Sequence, residues 1–237
     1  SSGAAAFYRE MQRWASIWNM NVVLSNATGH LAAMNMAGPH SRDIMAKLTD
    51  VDLSADAFPY LGVRLGTVAG APATLLRVGF VGERGYEIHV PALFGLHVWK
   101  ALMDAGKEHG IRPFGVETQR LLRLEKGHII VSQDTDGLTT PHEADMAWAV
   151  SRKKPYFVGM RSVSIQETGG LKRKLVGFEI ADAEAAQPKE CHLVVRGGTI
   201  TGRVTSIVRS PSLGKVIGLA YVAPDQAELG SEFDIKI

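Results

Sequence analysis

The chain has 237 residues, 46% of them hydrophobic and 21% charged, with a formal net charge of +2 and a single cysteine. That balance excludes a disordered chain, and Lys and Arg scattered through a nearly neutral sequence give no basic footprint for nucleic acid. Cys191 alone rules out an internal disulfide framework or a CxxC-type zinc site and fits a reducing compartment. No apolar run approaches the ~20 residues that cross a bilayer, so no membrane partner is expected and the cytoplasm is the expected location.

Phe7, Met11, Trp14 and Trp18 recur at helical spacing, with Arg9, Glu10 and Arg13 on the other face, and predict an amphipathic first helix. Asn19 and Asn21 bracket its end, and Val22, Val23 and Leu24 read as a short buried strand. Gly38 and Pro39 break the next stretch, after which Ser41 is a candidate cap for a short helix carrying Ile44, Met45 and Leu48. Residues 74–81 and 86–90 read as strands paired across a turn at 82–85. Pro91 opens a helix with Leu93, Leu96, Trp99 and Met103 as its apolar stripe, ending near Gly110. Pro113 and Gly115 introduce another, running to Glu125–Gly127.

After Gly159 the helical periodicity fades. Residues 175–180, 192–196, 199–208, 215–222 and 232–237 read as strands between turns, the pattern of a small antiparallel barrel. The expected fold class is therefore α+β, with domains at 1–168 and 169–237 and the boundary at Gly169 and Gly170. Gly197, Gly198 and Gly202 read as hairpin glycines rather than a phosphate cradle.

The sequence holds no GxSxG, HExxH, Walker A or GxGxxG motif, and its eight histidines show no paired metal-ligand spacing, so no metal site is expected. His97 reads as a packed or surface histidine within its helix. Polar groups concentrate in GERGYEIHV (82–90), GVETQRLLRLEKGH (115–128) and QDTDGLTTPHEA (133–144). Strand alternation puts Glu87 on one face with Gly85 and His89, opposite Tyr86 and Ile88, either as a solvated residue or as a functional one. Arg120 and Arg123 are helical neighbours, with Glu117 and Lys126 in the same polar row, which reads as a surface ion-pair face. Asp134 and Asp136 read as turn-forming carboxylates.

The order GERGYEI, LRLEKG, QDTDG with TPHE, KKPYFVG (153–159) and GRVTSIVRSPSLG (202–214) resembles the aminomethyltransferase family, to which the glycine-cleavage T-protein belongs. AGPHSRDIMAKLTDVDLS (37–54) resembles the helix entry of the same family. Within it, EKGH after LRL, QDTDG, TPHE and KKPYF look closer to the alpha subunit of heterotetrameric sarcosine oxidases than to the T-protein. Thr118, Gln119 and Arg120 stand where the T-protein carries Ala-Arg-Asp, so the folate-contacting arginine of that triplet is replaced by Gln119.

The resemblance implies a folate-binding α/β region followed by a small antiparallel β-barrel. It also implies tetrahydrofolate as cofactor, and capture of the one-carbon unit from sarcosine oxidation as 5,10-methylenetetrahydrofolate. It places the folate-binding glutamate at Glu87, whose carboxylate can accept two parallel N–H bonds from a reduced pterin. Arg123 is the second candidate folate-site residue, either touching folate or pairing with a structural carboxylate, and Tyr86 is assigned to the core. The family's catalytic aspartate is expected upstream of residue 1, so no residue here is assigned that role, and the chain resembles a member shortened at both ends. Flavins and NAD are expected only in other domains or subunits, and the other sarcosine oxidase subunits are the expected partners. The alternatives are a stand-alone T-protein-like aminomethyltransferase and a scaffold for subunit contacts.

Overall fold

A computed structural model describes residues 3–180 and 187–237. Ser1 and Ser2 of the first expected domain, and residues 181–186 of the second, lie outside the described residues. The chain divides into two units, Ser1–Gly79 with Glu83–Pro113, and Phe80–Gly82 with Phe114–Ile237.

The first unit is built on a four-stranded antiparallel sheet. Its strands are β1 (Leu31–Ala37), β2 (Val63–Val68), β3 (Ala71–Leu76) and β4 (Gly85–Pro91), in the order β1-β4-β3-β2. One face carries Met36, Leu75, Tyr86, Ile88 and Val90. It forms a core with Ile44 and Met45 of helix α2 (Ser41–Ala46) and with Val98 and Leu102 of helix α3 (Gly95–Ala105). Each of these side chains removes apolar surface from water, about 1.5–3 kcal/mol apiece when fully buried, and together they set the register of the sheet.

Several expectations change here. The first helix forms as α1 (Ala4–Ile17), but its apolar stripe buries nothing. Val22, Val23 and Leu24 are not a buried strand; they lie in irregular chain, with Val23 96% exposed. Ser41 does not cap α2 but is its first residue, and its hydroxyl donates instead to the Arg84 carbonyl. The hairpin of β3 and β4 forms, with Leu75 opposite Ile88, although β3 ends at Leu76 rather than continuing to Val81. The helix expected from Pro91 begins only at Gly95, after a 3-10 turn at Ala92–Phe94 that holds exposed Leu93, and in α3 the stripe is displaced: Leu96 and Trp99 are exposed, and Val98 and Leu102 face the core.

The second unit joins helix α4 (Val116–Lys126) and helix α5 (Met160–Gly169) to a five-stranded antiparallel sheet. Its strands are β5 (Lys174–Ile180), β6 (Leu193–Arg196), β7 (Thr199–Ser210), β8 (Lys215–Val222) and β9 (Asp234–Lys236), in the order β5-β8-β7-β6-β9. All five strands fall where the sequence reading put them. β8 is buried along nearly its whole length because both faces are covered. Leu219 and Tyr221 pack with Leu124 of α4, while Ala220 and Val222 pack with Val194, Val176 and Phe178. The uninterrupted apolar run of β8 is the sequence mark of that double burial.

α5 was not expected, and none of its residues is buried, so it leaves no periodic apolar signal. Gly202 is not a turn residue: it lies inside β7, where a Cβ would overlap the Tyr221 carbonyl oxygen of β8. Gly197 and Gly198 do make the two-residue turn between β6 and β7, both with positive φ.

Candidate functional site

β4 alternates strictly: Tyr86, Ile88 and Val90 are buried, and Glu87 and His89 emerge on the opposite face. Cross-strand pairing extends that face into two rows. Asn35, Glu87, Leu76 and Val63 form one, and Ala33, His89, Thr74 and Leu65 the other. Glu87 thus stands in a central strand of an open sheet face, its side chain 42% exposed, with polar Asn35 on one side and apolar Leu76 on the other. His89 Nε2 lies 3.3 Å from Glu87 Oε2. A carboxylate offers only acceptors, so the imidazole nitrogen is the donor, and it tethers one oxygen while leaving the other free. Tyr86 takes the place assigned to it in the core, where its ring meets Phe58 at 5.9 Å and the Arg77 guanidinium at 5.3 Å. Its hydroxyl has no hydrogen-bond partner.

Arg123 belongs to the other unit and is not on a surface ion-pair face. It is 1% exposed, held by α4 just before Gly127 ends the helix in a left-handed turn at φ +82°. Its Nη1 donates to Asp134 Oδ2 at 2.6 Å and to the His128 carbonyl at 2.8 Å, and its Nη2 donates to Ser206 Oγ at 2.7 Å. Asp134, fully buried, also accepts from the Thr205 hydroxyl at 2.7 Å, the Ser206 hydroxyl at 2.5 Å and the Ile130 N–H at 2.8 Å. The Tyr221 hydroxyl donates to the Asp134 carbonyl. This network ties α4, the QDTDG loop, β7 and β8 together. Arg120 keeps the surface reading together with exposed Glu117 and Lys126, paired with Glu117 at 3.4 Å and donating to Gln133 Oε1.

Asp136 plays a different part from its neighbour two residues back. Half-exposed, it accepts from the Thr139 hydroxyl, the Leu138 N–H, Arg173 and Arg203. The Thr139 and Leu138 bonds, with Arg173 beside them, hold its carboxyl well below the usual carboxylate range. Arg173 also reaches Glu143, a buried carboxylate of the TPHE motif, and lies 4.7 Å from the Tyr221 ring centroid.

Two family models cover most of the sequence: the GCVT N-terminal domain matches residues 1–154, and the glycine cleavage T-protein C-terminal barrel domain matches residues 173–237. The chain belongs to the GCVT family. This GCVT chain is 39% identical to sarcosine oxidase subunit alpha of Corynebacterium sp. (strain P-1), over 97% of its own length and 25% of that protein. It is 34% identical to the aminomethyltransferases of Halothermothrix orenii and Bacillus subtilis (strain 168), over 92% of its length and about 60% of theirs. It therefore spans a quarter of the first relative and under two thirds of the others. The fold matches that of the glycine cleavage system aminomethyltransferase T of Bartonella henselae with a TM-score of 0.80 at 21% identity, covering 99% of this chain and 62% of the other.

Thr205 and Ser206 of the GCVT chain were missed as partners of Asp134. Alternation would send two consecutive residues to opposite faces, but the β7–β8 register shifts between Val204 and Ser206, and Val204, Thr205 and Ser206 are all buried. A bulge of this kind redirects side chains without a mark in hydrophobic periodicity. Two adjacent hydroxyl residues inside an apolar strand were the available signal. Among the described residues no group of three or more His, Cys, Asp or Glu side chains could hold a metal ion, and no helix is long and apolar enough to cross a membrane.

Proposed function

We propose that this chain is a tetrahydrofolate-binding domain of a sarcosine oxidase alpha subunit, a cytoplasmic enzyme whose other subunits are its partners. Its folate-binding region runs over residues 1–168 and its C-terminal barrel over 169–237. The observation that carries the reading is the position of Glu87: a carboxylate with a free oxygen, fixed by His89, in the middle of an open sheet face. This pair of acceptor oxygens fits a reduced pterin, because a carboxylate accepts both a ring N–H and the adjacent exocyclic amino group. Apolar Leu76 and Val63 in the same row supply a surface for a flat ring.

In this reading Glu87 anchors the pterin and His89 keeps the carboxylate in its binding rotamer. Arg123, whose Nη donors are engaged by Asp134, Ser206 and His128, fixes the QDTDG loop within its own unit. Bound tetrahydrofolate supplies a nucleophilic acceptor for the one-carbon unit released by sarcosine oxidation, giving 5,10-methylenetetrahydrofolate. Holding the reacting groups at a fixed separation is the chief contribution such a site makes. The replacement of the T-protein arginine by Gln119, together with the higher identity to the oxidase subunit, favours this role over glycine cleavage.

Calorimetric titration of the chain with folinic acid, beside a Glu87→Ala variant of unchanged circular dichroism, tests the reading. Saturable binding lost in the variant is the expected result. Binding that survives in the variant moves the site away from Glu87, and a folded wild type that binds nothing favours the scaffold alternative.

A further inference from the structure

A carboxylate reads two adjacent donors and is blind to the group beside them. The recognition edge of a 2-amino-4-oxo heterocycle has three groups in line: a carbonyl acceptor, a ring N–H and an amino group. Glu87 satisfies the last two. Its lone pairs repel the carbonyl oxygen, so a site built from Glu87 alone leaves that oxygen without a partner, at a cost comparable to a lost hydrogen bond.

Asn35 supplies what is missing. It sits directly opposite Glu87 in the β1–β4 ladder, so the two side chains leave the same face of the sheet. Opposed side chains in an antiparallel pair start about 5 Å apart at Cβ, close enough for two short polar heads to line up along one ligand edge. Asn35 is exposed, and its carboxamide has no hydrogen-bond partner among the described residues. On the other flank of Glu87 stands Leu76, which offers no donor, and His89 is already engaged with Glu87 Oε2. The row is therefore asymmetric, with a donor on the β1 side only.

We propose that Asn35 is the specificity-determining donor of this site, reading the ring carbonyl next to the two N–H groups that Glu87 accepts. The proposal rests on the folate reading of Glu87 and extends it to the choice and orientation of the ring. The carbonyl lies toward β1 and the amino group toward Leu76. Because the carboxamide both donates and accepts, it turns its NH2 toward the carbonyl, an orientation that nothing else on the face opposes.

The test uses the whole chain with two probes, folinic acid and the isolated head 6-methyltetrahydropterin, and three variants, Asn35→Ala, Asn35→Asp and Asn35→Gln. Aspartate keeps the shape of asparagine and loses the donor, whereas glutamine keeps the donor. Asn35→Ala is expected to weaken both probes by about five- to tenfold, the value of one neutral hydrogen bond. Asn35→Asp is expected to weaken them further despite its near-identical shape, and Asn35→Gln to recover part of the loss. Asn35→Asp binding within twofold of wild type overturns the proposal, as does Asn35→Ala leaving both affinities unchanged while Glu87→Ala still abolishes them. A folded wild type that binds neither probe overturns the folate reading itself and this proposal with it.

Discussion

Arg123 Nη1 lies 2.6 Å from Asp134 Oδ2, and neither side chain is more than 1% exposed. Two charges removed from water are costly unless paired and hydrogen-bonded; the hydroxyls of Thr205 and Ser206 complete the shell of Asp134, while Arg123 Nε has no partner. Removal of one partner strands the other. Asp134→Ala is expected to destabilise the second unit by about 3–5 kcal/mol in chemical denaturation, whereas replacing both charges, as in Arg123→Met with Asp134→Leu, recovers a large part of that loss. A double variant no better than Asp134→Ala would show that the hydroxyl bonds, rather than the ion pair, hold the loop.

Asp136 links stability to acid. Its folded carboxyl titrates below its unfolded value, so its contribution is fully present above the unfolded pKa, about 4, and fades as pH falls toward the lower folded value. Denaturation midpoints measured from pH 6 down to pH 2 should therefore drop more steeply for the wild type than for Asp136→Asn. Parallel curves would refute the assignment.

The displaced stripe of α3 separates sequence pattern from packing. Leu102→Ala opens the core of the first unit and is expected to cost about 2–5 kcal/mol, while Leu96→Ala, on the exposed face, should stay within about 0.5 kcal/mol of wild type. Thermal melting of the two variants checks the contrast, and equal losses would place Leu96 in a core.

In the proposed folate reading, His89 acts through Glu87. His89→Ala frees the carboxylate to rotate and is expected to weaken folinic acid binding about fivefold, whereas His89→Gln, which retains a donor at similar reach, should restore most of it. Equal affinities for the two variants would mean that the imidazole holds nothing.

The elements legible in the sequence are those whose burial follows a simple period. The alternation of β4 carries it; β8 shows instead as an uninterrupted apolar run between turns, and the helix from Val116 to Lys126 through Pro113 and Gly115 before it and Gly127 after it. β1 reads Leu-Ala-Ala-Met-Asn-Met-Ala, with no β-branched residue, and takes its conformation from pairing with β4. Val22 to Leu24 show the converse: strong strand formers with no sheet to join. α5 buries nothing, so it shows no stripe. In the candidate site, alternation put Glu87 on the open face but left it solvated or functional, and the family resemblance made it a candidate, whereas Arg123 looked like one of a surface pair because the burial of a charge depends on a partner eleven residues away. Asn35 carried no signal at all, since its relation to Glu87 exists only through the ladder.

That ladder has a kinetic side. β2, β3 and β4 follow one another along the chain and can zip as neighbouring hairpins, but β1 must wait to meet β4 until about fifty intervening residues have been gathered in. On loop-closure grounds Asn35 is expected to reach Glu87 after the hairpins have formed. Growth of ligand affinity during refolding would then follow the docking of β1, not the earlier collapse of the hairpins.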